Sequence, residues 1–391
     1  MTNTFIGNNL SRRRFLKTGG LAALSATILR ETAWSSQTRE QTLFVGTYTV
    51  DTPSEGIYTY RLNTDTGELK KVTSIMSVNP SFLALDRSRR FLYAVNEVQE
   101  FAGQPGGAVS AYAIERAGKL KFLNQRASQG ADPCHLTVDR NRRNLLVANY
   151  TGGNLALLPI HRNGTLGPVA DLKQHEGSGP KEQQKGPHAH CIILDASERH
   201  ALAADLGSDK VMVYRFDPAA RKLRPGKQPS ESMKAGAGPR HLTLHRSGRF
   251  VYVINELDST MTTLQYDAKA GTLGTVDTTS TLPADFTGTS YCADVHVSPS
   301  GNYLYGSNRG HNSIVVFALD RRNGKPKLVE HVSTEGDWPR NFVIDPTGRF
   351  LLVANQRSNN VVVFRIDART GRLKPAGQTE QIPAPVCLKF A

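Results

Sequence analysis

Cysteine is scarce in this 391-residue chain: there are four, at 134, 191, 292 and 387, far apart and without a CxxC pair or zinc-ligand spacing. That excludes a disulfide scaffold and a structural zinc site, and it predicts free, buried thiols. No secure apolar run reaches the roughly 18 residues of a membrane-spanning helix. No long stretch carries the 3.6-residue periodicity of a buried helix, which argues against an α or α/β architecture. Low-complexity blocks are missing too; the 34 Gly and 20 Pro fall in short clusters, as turns require. Acidic residues are in deficit, 34 against 48 Lys and Arg, for a formal net charge of +14. Residues 1–40 hold six basic and two acidic side chains, so the remainder carries +10. A basic body suits an anionic substrate or surface. The lack of any Lys/Arg block or nucleic-acid motif after residue 40 argues against nucleic acid. There is no Gly-x-Ser-x-Gly elbow, so a serine nucleophile is disfavoured.

What the chain does have is a repeat. Phe91-Leu92-Tyr93-Ala94-Val95-Asn96 recurs as Leu145 to Asn149, Phe250 to Asn255, Tyr303 to Asn308 and Phe350 to Asn355, with a weaker copy at Ala201 to Asp205. Each copy follows a turn such as Ser247-Gly248-Arg249, and each turn follows a short apolar run such as Phe342-Val343-Ile344. An alternating strand and a Gly turn with a last strand come after, as in Val361 to Ile366 and Thr370 to Leu373. The unit is a four-stranded antiparallel meander, and its Asn/Asp mark returns roughly every fifty residues, as in propeller blades. Six complete units begin near residues 80, 133, 188, 239, 291 and 339. A seventh, beginning at Leu43-Phe44-Val45-Gly46, lacks its first strand, and Pro385 to Phe390 reads like that strand. The expectation is an all-β, seven-bladed β-propeller. Its C-terminal strand closes the ring by pairing into the first blade, which leaves no open sheet edge.

The first forty residues belong to something else. Ser11-Arg12-Arg13-Arg14-Phe15-Leu16-Lys17 resembles the twin-arginine export signal, followed by a weakly apolar Thr18 to Leu29 and a tolerable cleavage region near residues 33–37. The resemblance implies the twin-arginine translocase as a partner during export and a periplasmic or extracytoplasmic location, with no stable membrane span. Residues 1–40 are therefore set aside as a signal segment, and 42–391 are read as one propeller domain.

Topology then places a site. With strands A to D in each blade, the start of A and the end of B lie at one mouth of the ring, as do the B–C loops and the D-to-A connections. The long segments 47–56, 97–107, 173–188 and 276–293 all fall there, and loops lengthen where function resides. His135, His188, His190, Arg240, His241, Asp294, Arg340 and Asn341 sit at A-strand starts, and Glu97, Glu256 and Arg309 follow B strands. Asn and His at strand ends also satisfy backbone groups, His296 reads as a core histidine, and the arginines with Glu256 also read as a structural ion-pair ring. As a site, several basic groups around one or two carboxylates suit an anionic substrate whose hydrolysis develops more negative charge.

At these residues the chain resembles the lactonase family of seven-bladed propellers, the 6-phosphogluconolactonase and carboxymuconate-lactonizing type. The resemblance spans residues 42–391. It is carried by Gly238-Pro239-Arg240-His241, Asn255-Glu256-Leu257, Ala293-Asp294-Val295-His296, Asn308-Arg309 and Pro339-Arg340-Asn341-Phe342, in that order and spacing. It implies hydrolysis of a small anionic or sugar lactone without a cofactor. The implied catalytic set is His188 or His190 as base, with Arg240, Glu256 and Arg309, the last with Arg340 as an alternative. Arg340, His135, His241, Asp294 and Asn341 would bind substrate. Metal binding by His188 and His190 with Asp294 or Glu256 is a lesser reading, since nothing else has ligand spacing. Two other functions stay open: a non-catalytic surface or periplasmic binding propeller, and a muconate-type lactonizing enzyme.

Overall fold

Each repeat folds as the sequence predicts, because its inner strands are apolar on both faces and bury both, while the outermost strand is polar and largely exposed. The computed structural model describes residues 40–391; the expected export segment lies outside them. Blade three shows the pattern. Its strands Pro133–Val138, Asn144–Asn149, Asn154–Pro159 and Asp171–Gln174 hydrogen-bond in that order, antiparallel throughout. Leu145, Leu146, Val147 and Ala148 of its B strand are wholly buried. Seven such four-stranded sheets are present among the described residues, besides a small hairpin of Glu100–Phe101 with Gln104–Pro105. Apolar side chains mesh between neighbours: Phe44 and Ile57 of blade one, Leu92 and Val95 of blade two, and Leu145 and Val147 of blade three share one cluster.

The ring closes as expected. Pro385–Phe390 pairs antiparallel with Glu40–Thr47, Leu43 opposite Phe390 and Val45 opposite Leu388, and becomes strand A of blade one. The four cysteines are free and buried, as their spacing predicts.

The repeat marks each have a physical task. In four blades the Asn that ends strand B donates to the chain arriving from the preceding blade, while Asn255 donates to Thr260 and Thr262 of its own blade. Asn96 reaches the carbonyl of Val78, Asn149 that of Ser128, Asn308 that of Thr281 and Asn355 that of Thr334. In blade four the residue is Asp205, and the bond reverses: His175 donates to it at 2.6 Å. At the opposite end, a buried Asp closes the A–B turn. Asp86, Asp139 and Asp345 accept from the amides four and five residues on.

The residues before the prolines that open strand A take positive φ: Asn79, Asp132, Gly238, Trp338 and Ala384. Their carbonyls accept the amides of the residues that leave strand B in the same blade, Glu97, Tyr150, Glu256, Gln356 and Tyr48. Non-glycine residues there carry roughly 1–3 kcal/mol of strain each. Strand A also shifts register within its first three residues, between Pro133 and His135, Ala189 and Cys191, Pro239 and His241, and Pro339 and Asn341.

Candidate active site

Two sets of positions meet at the upper mouth. One follows strand B: Tyr48, Glu97, Tyr150, Glu256 and Arg309. The other opens strand A: His188, His190, Arg240 and Arg340. The fold supplies both sets by repetition, and the chemistry lies in which side chains the repeats carry.

Glu256 is the hub. One of its oxygens, Oε2, lies 2.9 Å from Arg240 Nε and 2.8 Å from Arg309 Nη2. Burial alone would push this carboxyl up. Arg309, Arg240 and Arg340 outweigh it and hold Glu256 below the usual carboxylate range, so it stays ionised. Both arginine side chains are nearly sealed, 3% and 5% exposed, whereas Glu256 keeps 17%. Arg309 also donates to the carbonyls of Tyr291 and Cys292, at 3.3 and 2.9 Å, and faces the Trp338 ring at 5.4 Å. Arg240 Nη1 donates to the Ala293 carbonyl. Its Nε faces the Glu256 carboxylate off the ideal hydrogen-bond line, as an ion pair.

Arg340 is the looser cation. Its Nη2 is 3.9 Å from Glu97 Oε1 and its guanidinium lies 5.3 Å from the centre of the Tyr48 ring. Tyr48 Oη donates to the same Glu97 oxygen at 2.8 Å, and Ser81 donates to the other.

The two candidate histidines differ. His188 Nδ1–H donates to the Tyr150 carbonyl at 3.0 Å, which leaves the lone pair on Nε2. Its ring stacks on Tyr150 at 4.4 Å and is part-exposed. His190 is buried, edge-on to Tyr150 and His241 at 5.4 Å from each. Burial, then Arg240, His241 and Arg340, hold His190 well below the ordinary histidine range.

The other residues that sequence placed on the substrate lie one layer deeper, and their polar atoms are filled by protein. His135 contacts Cys191 Sγ at 3.5 Å and accepts the Ile192 amide at 3.3 Å. Asp294 accepts from His241 Nδ1 at 2.8 Å, from His296 Nε2 at 3.0 Å, and from Asn341. Asn341 in turn accepts the Leu388 amide at 2.7 Å. His241 Nε2 then faces Arg240 Nη1 at 3.2 Å as an acceptor. Burial and Arg240 pull His241 down to about 4, against the opposing pull of Asp294, so it is neutral at pH 7 and fit to accept. This layer fixes Arg240 from below. Beyond it is a cavity of about 280 Å³ walled by Thr137, Ile193, Thr243, His296 and Lys389, nearer the lower ends of the A strands.

Among the described residues no set of three His, Cys, Asp or Glu is arranged to hold a metal ion. His188 and His190 belong to this count: His188 is tied to Tyr150, and His241 and Asp294 to one another. The sequence reading missed Tyr48, Tyr150 and Trp338. A signal for the two tyrosines was present, since they occupy the same post-strand-B position as Glu97 and Glu256.

Comparison with known proteins bears on the family and the fold. The lactonase family model, described as a seven-bladed β-propeller, matches residues 42–390. The chain is 38% identical over 352 residues to the 6-phosphogluconolactonase of Bacillus subtilis, covering 89% of this chain and 97% of that one. A crystal structure of a putative 6-phosphogluconolactonase from Bacteroides fragilis superposes with a TM-score of 0.85 at 37% identity, covering 91% and 99% of the two chains. A periplasmic gluconolactonase from Pseudomonas aeruginosa gives 0.85 at 34% identity, covering 90% and 99%.

Proposed function

Because the chain belongs to the lactonase family of seven-bladed β-propellers, we propose that it hydrolyses a small sugar-acid lactone at the upper mouth, outside the cytoplasm. The observation that carries the site is the Arg240–Glu256–Arg309 set, two buried guanidiniums held on one carboxylate oxygen. Two guanidiniums against one carboxylate leave net positive charge, which suits a developing oxyanion.

In this reading water attacks the lactone carbonyl while His188 Nε2 takes its proton. Arg240 and Arg309 stabilise the oxyanion, held in place by Glu256. The tetrahedral intermediate collapses, the ring oxygen leaves, and protonated His188 returns the proton to it, so hydroxy acid and free base emerge together. His188 fits the base role better than His190. A strongly depressed histidine gives little driving force for proton uptake, and His190 is sealed from the mouth. Arg340, only loosely paired with Glu97 at 3.9 Å, can hold an anionic group of the substrate or product. His135, His241, Asp294 and Asn341 are support beneath the site.

Export favours an unphosphorylated lactone, since a phosphorylated intermediate belongs inside the cell. The likeness to a periplasmic gluconolactonase supports this reading. Arg340 supports the rival, a phosphorylated sugar lactone. Turnover of gluconolactone and of 6-phosphogluconolactone, measured side by side, decides between them. Ligand binding without turnover of any lactone in a panel would mean a binding propeller, and would end the enzymatic reading. His188→Gln should lower kcat about 100-fold or more with little change in KM. Loss of kcat in His190→Gln alone would move the base role there.

For export, Arg12→Lys with Arg13→Lys should trap the protein in the cytoplasm. Unchanged fractionation of that double variant would sink the twin-arginine route.

A further inference from the structure

Far from the candidate active site, on the face built of A–B and C–D turns, lies a cleft of about 530 Å³. It is walled by Arg90 and Phe91 of blade two, Arg142, Arg143 and Arg162 of blade three, and Arg221 of blade four. No Asp or Glu lines it. Arg142 alone is compensated, donating to Ser88 Oγ at 2.9 Å and lying 3.6 Å from Asp86. Among the described residues, the side chains of Arg90, Arg143, Arg162 and Arg221 hold no carboxylate and no hydrogen-bond acceptor. Arg90 has only the Phe91 ring, at 5.3 Å.

The same turns elsewhere show what the fold itself requires. Between blades five and six the corresponding cleft, about 400 Å³, has two arginines, Arg249 and Arg322. There Arg249 spends its N–H groups on the carbonyls of Arg321 and Arg322, at 3.2 and 2.7 Å, and stacks on Phe250. One arginine stacked on the aromatic that opens strand B is therefore part of the repeat. Arg143 holds that same position in blade three, and Arg162 the C–D-turn position of Arg322; what is particular here is that five arginines meet at one cleft, and like charges gathered without counter-charge oppose the folded state.

We propose that this cleft binds a compact polyanion carrying two or more phosphoryl groups. Arginine forks bind tetrahedral oxyanions through paired, charge-assisted hydrogen bonds. A single carboxylate would neutralise one guanidinium of the five. Condensed phosphate is the chemistry that packs several negative charges into a cleft of this volume. The concave wall and the Phe91 floor suit a small ligand better than a flat surface.

The probe is inorganic tripolyphosphate, titrated calorimetrically into the folded protein at 150 mM salt. One site per chain is expected. Arg143→Gln with Arg162→Gln and Arg221→Gln should weaken binding roughly 100-fold. Arg249→Gln with Arg322→Gln should leave it within about twofold, and neither variant should alter lactone turnover. All these side chains are exposed or half-exposed at turns, so an unchanged melting temperature checks the fold. Absence of binding at 150 mM salt would overturn the proposal, as would a triple variant that binds like the parent. Capture by phosphatidylglycerol vesicles through the same arginines, with no competition by tripolyphosphate, would also overturn it, in favour of a membrane-facing surface.

Discussion

The two mouths of the ring are built from one repeat and have been put to opposite uses. At the lower mouth the repeat is kept: Asp86, Asp139, Asp195 and Asp345 close equivalent turns, and a glycine in the C–D turn lets the next blade lie against an aromatic ring. At the upper mouth the same fixed positions hold Tyr48, Glu97, Tyr150, Glu256 and Arg309 after strand B, five residues of three chemical types. The residue before the A-strand proline accepts the amide that follows strand B at Tyr48, Glu97, Tyr150 and Glu256, while Arg309 pairs in register with Tyr291. The lower face is constrained by turn closure; the upper face has that closure done by backbone and is free to vary its side chains.

The largest test of this contrast removes the element both faces depend on. Deleting residues 384–391 strips the A strand of blade one, including buried Val386, Cys387 and Leu388. At about 1.5–3 kcal/mol per buried apolar side chain, the loss rivals the whole stability of a typical domain. The truncated chain should lose cooperative thermal unfolding, and a melt like that of the parent would refute ring closure as the keystone.

A pair of single substitutions separates the faces. Arg240→Ala should cut kcat/KM by about 2–4 kcal/mol of transition-state stabilisation. Gly164→Ala at the lower mouth should leave kcat unchanged and cost roughly 1–3 kcal/mol of stability. Its φ is +86°, and an added Cβ would come 2.3 Å from the Phe91 ring. If Gly164→Ala impairs turnover as Arg240→Ala does, the two faces are coupled and the contrast fails.

The smallest effect is graded with pH. His135, His190 and His241 are buried neutral, each with its pKa held below the ordinary value, first by burial. The unfolded chain takes up protons at these residues below about pH 6.5, while the folded chain resists them. Stability is therefore full above pH 6.5 and falls as pH drops, by up to about 1.4 kcal/mol per pH unit for each histidine. For His241 the fall stops near its folded value of about 4. Denaturant melts from pH 7.5 to 4.5 should show this slope, and replacing His135 with Gln should reduce it.

Much of this was legible beforehand, for identifiable reasons. Blade count and closure were readable because Pro385 to Phe390 repeats the pattern of Pro239 to Leu244 and no other segment lacked a partner. Arg240, Glu256 and Arg309 were readable because charged residues at strand ends have no role in an apolar sheet. The layer beneath was not. Arg240 and His241 are adjacent, and which of them meets the mouth depends on the register shift between Pro239 and His241, a backbone irregularity with no residue signature. Tyr48 and Tyr150 were hidden by their chemistry, since an aromatic after a β-strand reads as core until the equivalent positions are aligned across blades.

Ring closure also sets a schedule for biosynthesis. Leu43, among the first residues of the propeller to be made, must wait for Phe390, among the last. While translation continues, blade one has three strands and an unpaired edge at Glu40–Thr47, and blade seven has no neighbour on one side. Six blades can form one after another as the polypeptide emerges; the ring itself cannot be sealed until Pro385–Phe390 has been made and is free to dock. The vulnerable species is thus the six-bladed chain that has not yet docked this strand. The demand for chaperoning is greatest then, when a sheet edge and an open seam both wait on the same six residues.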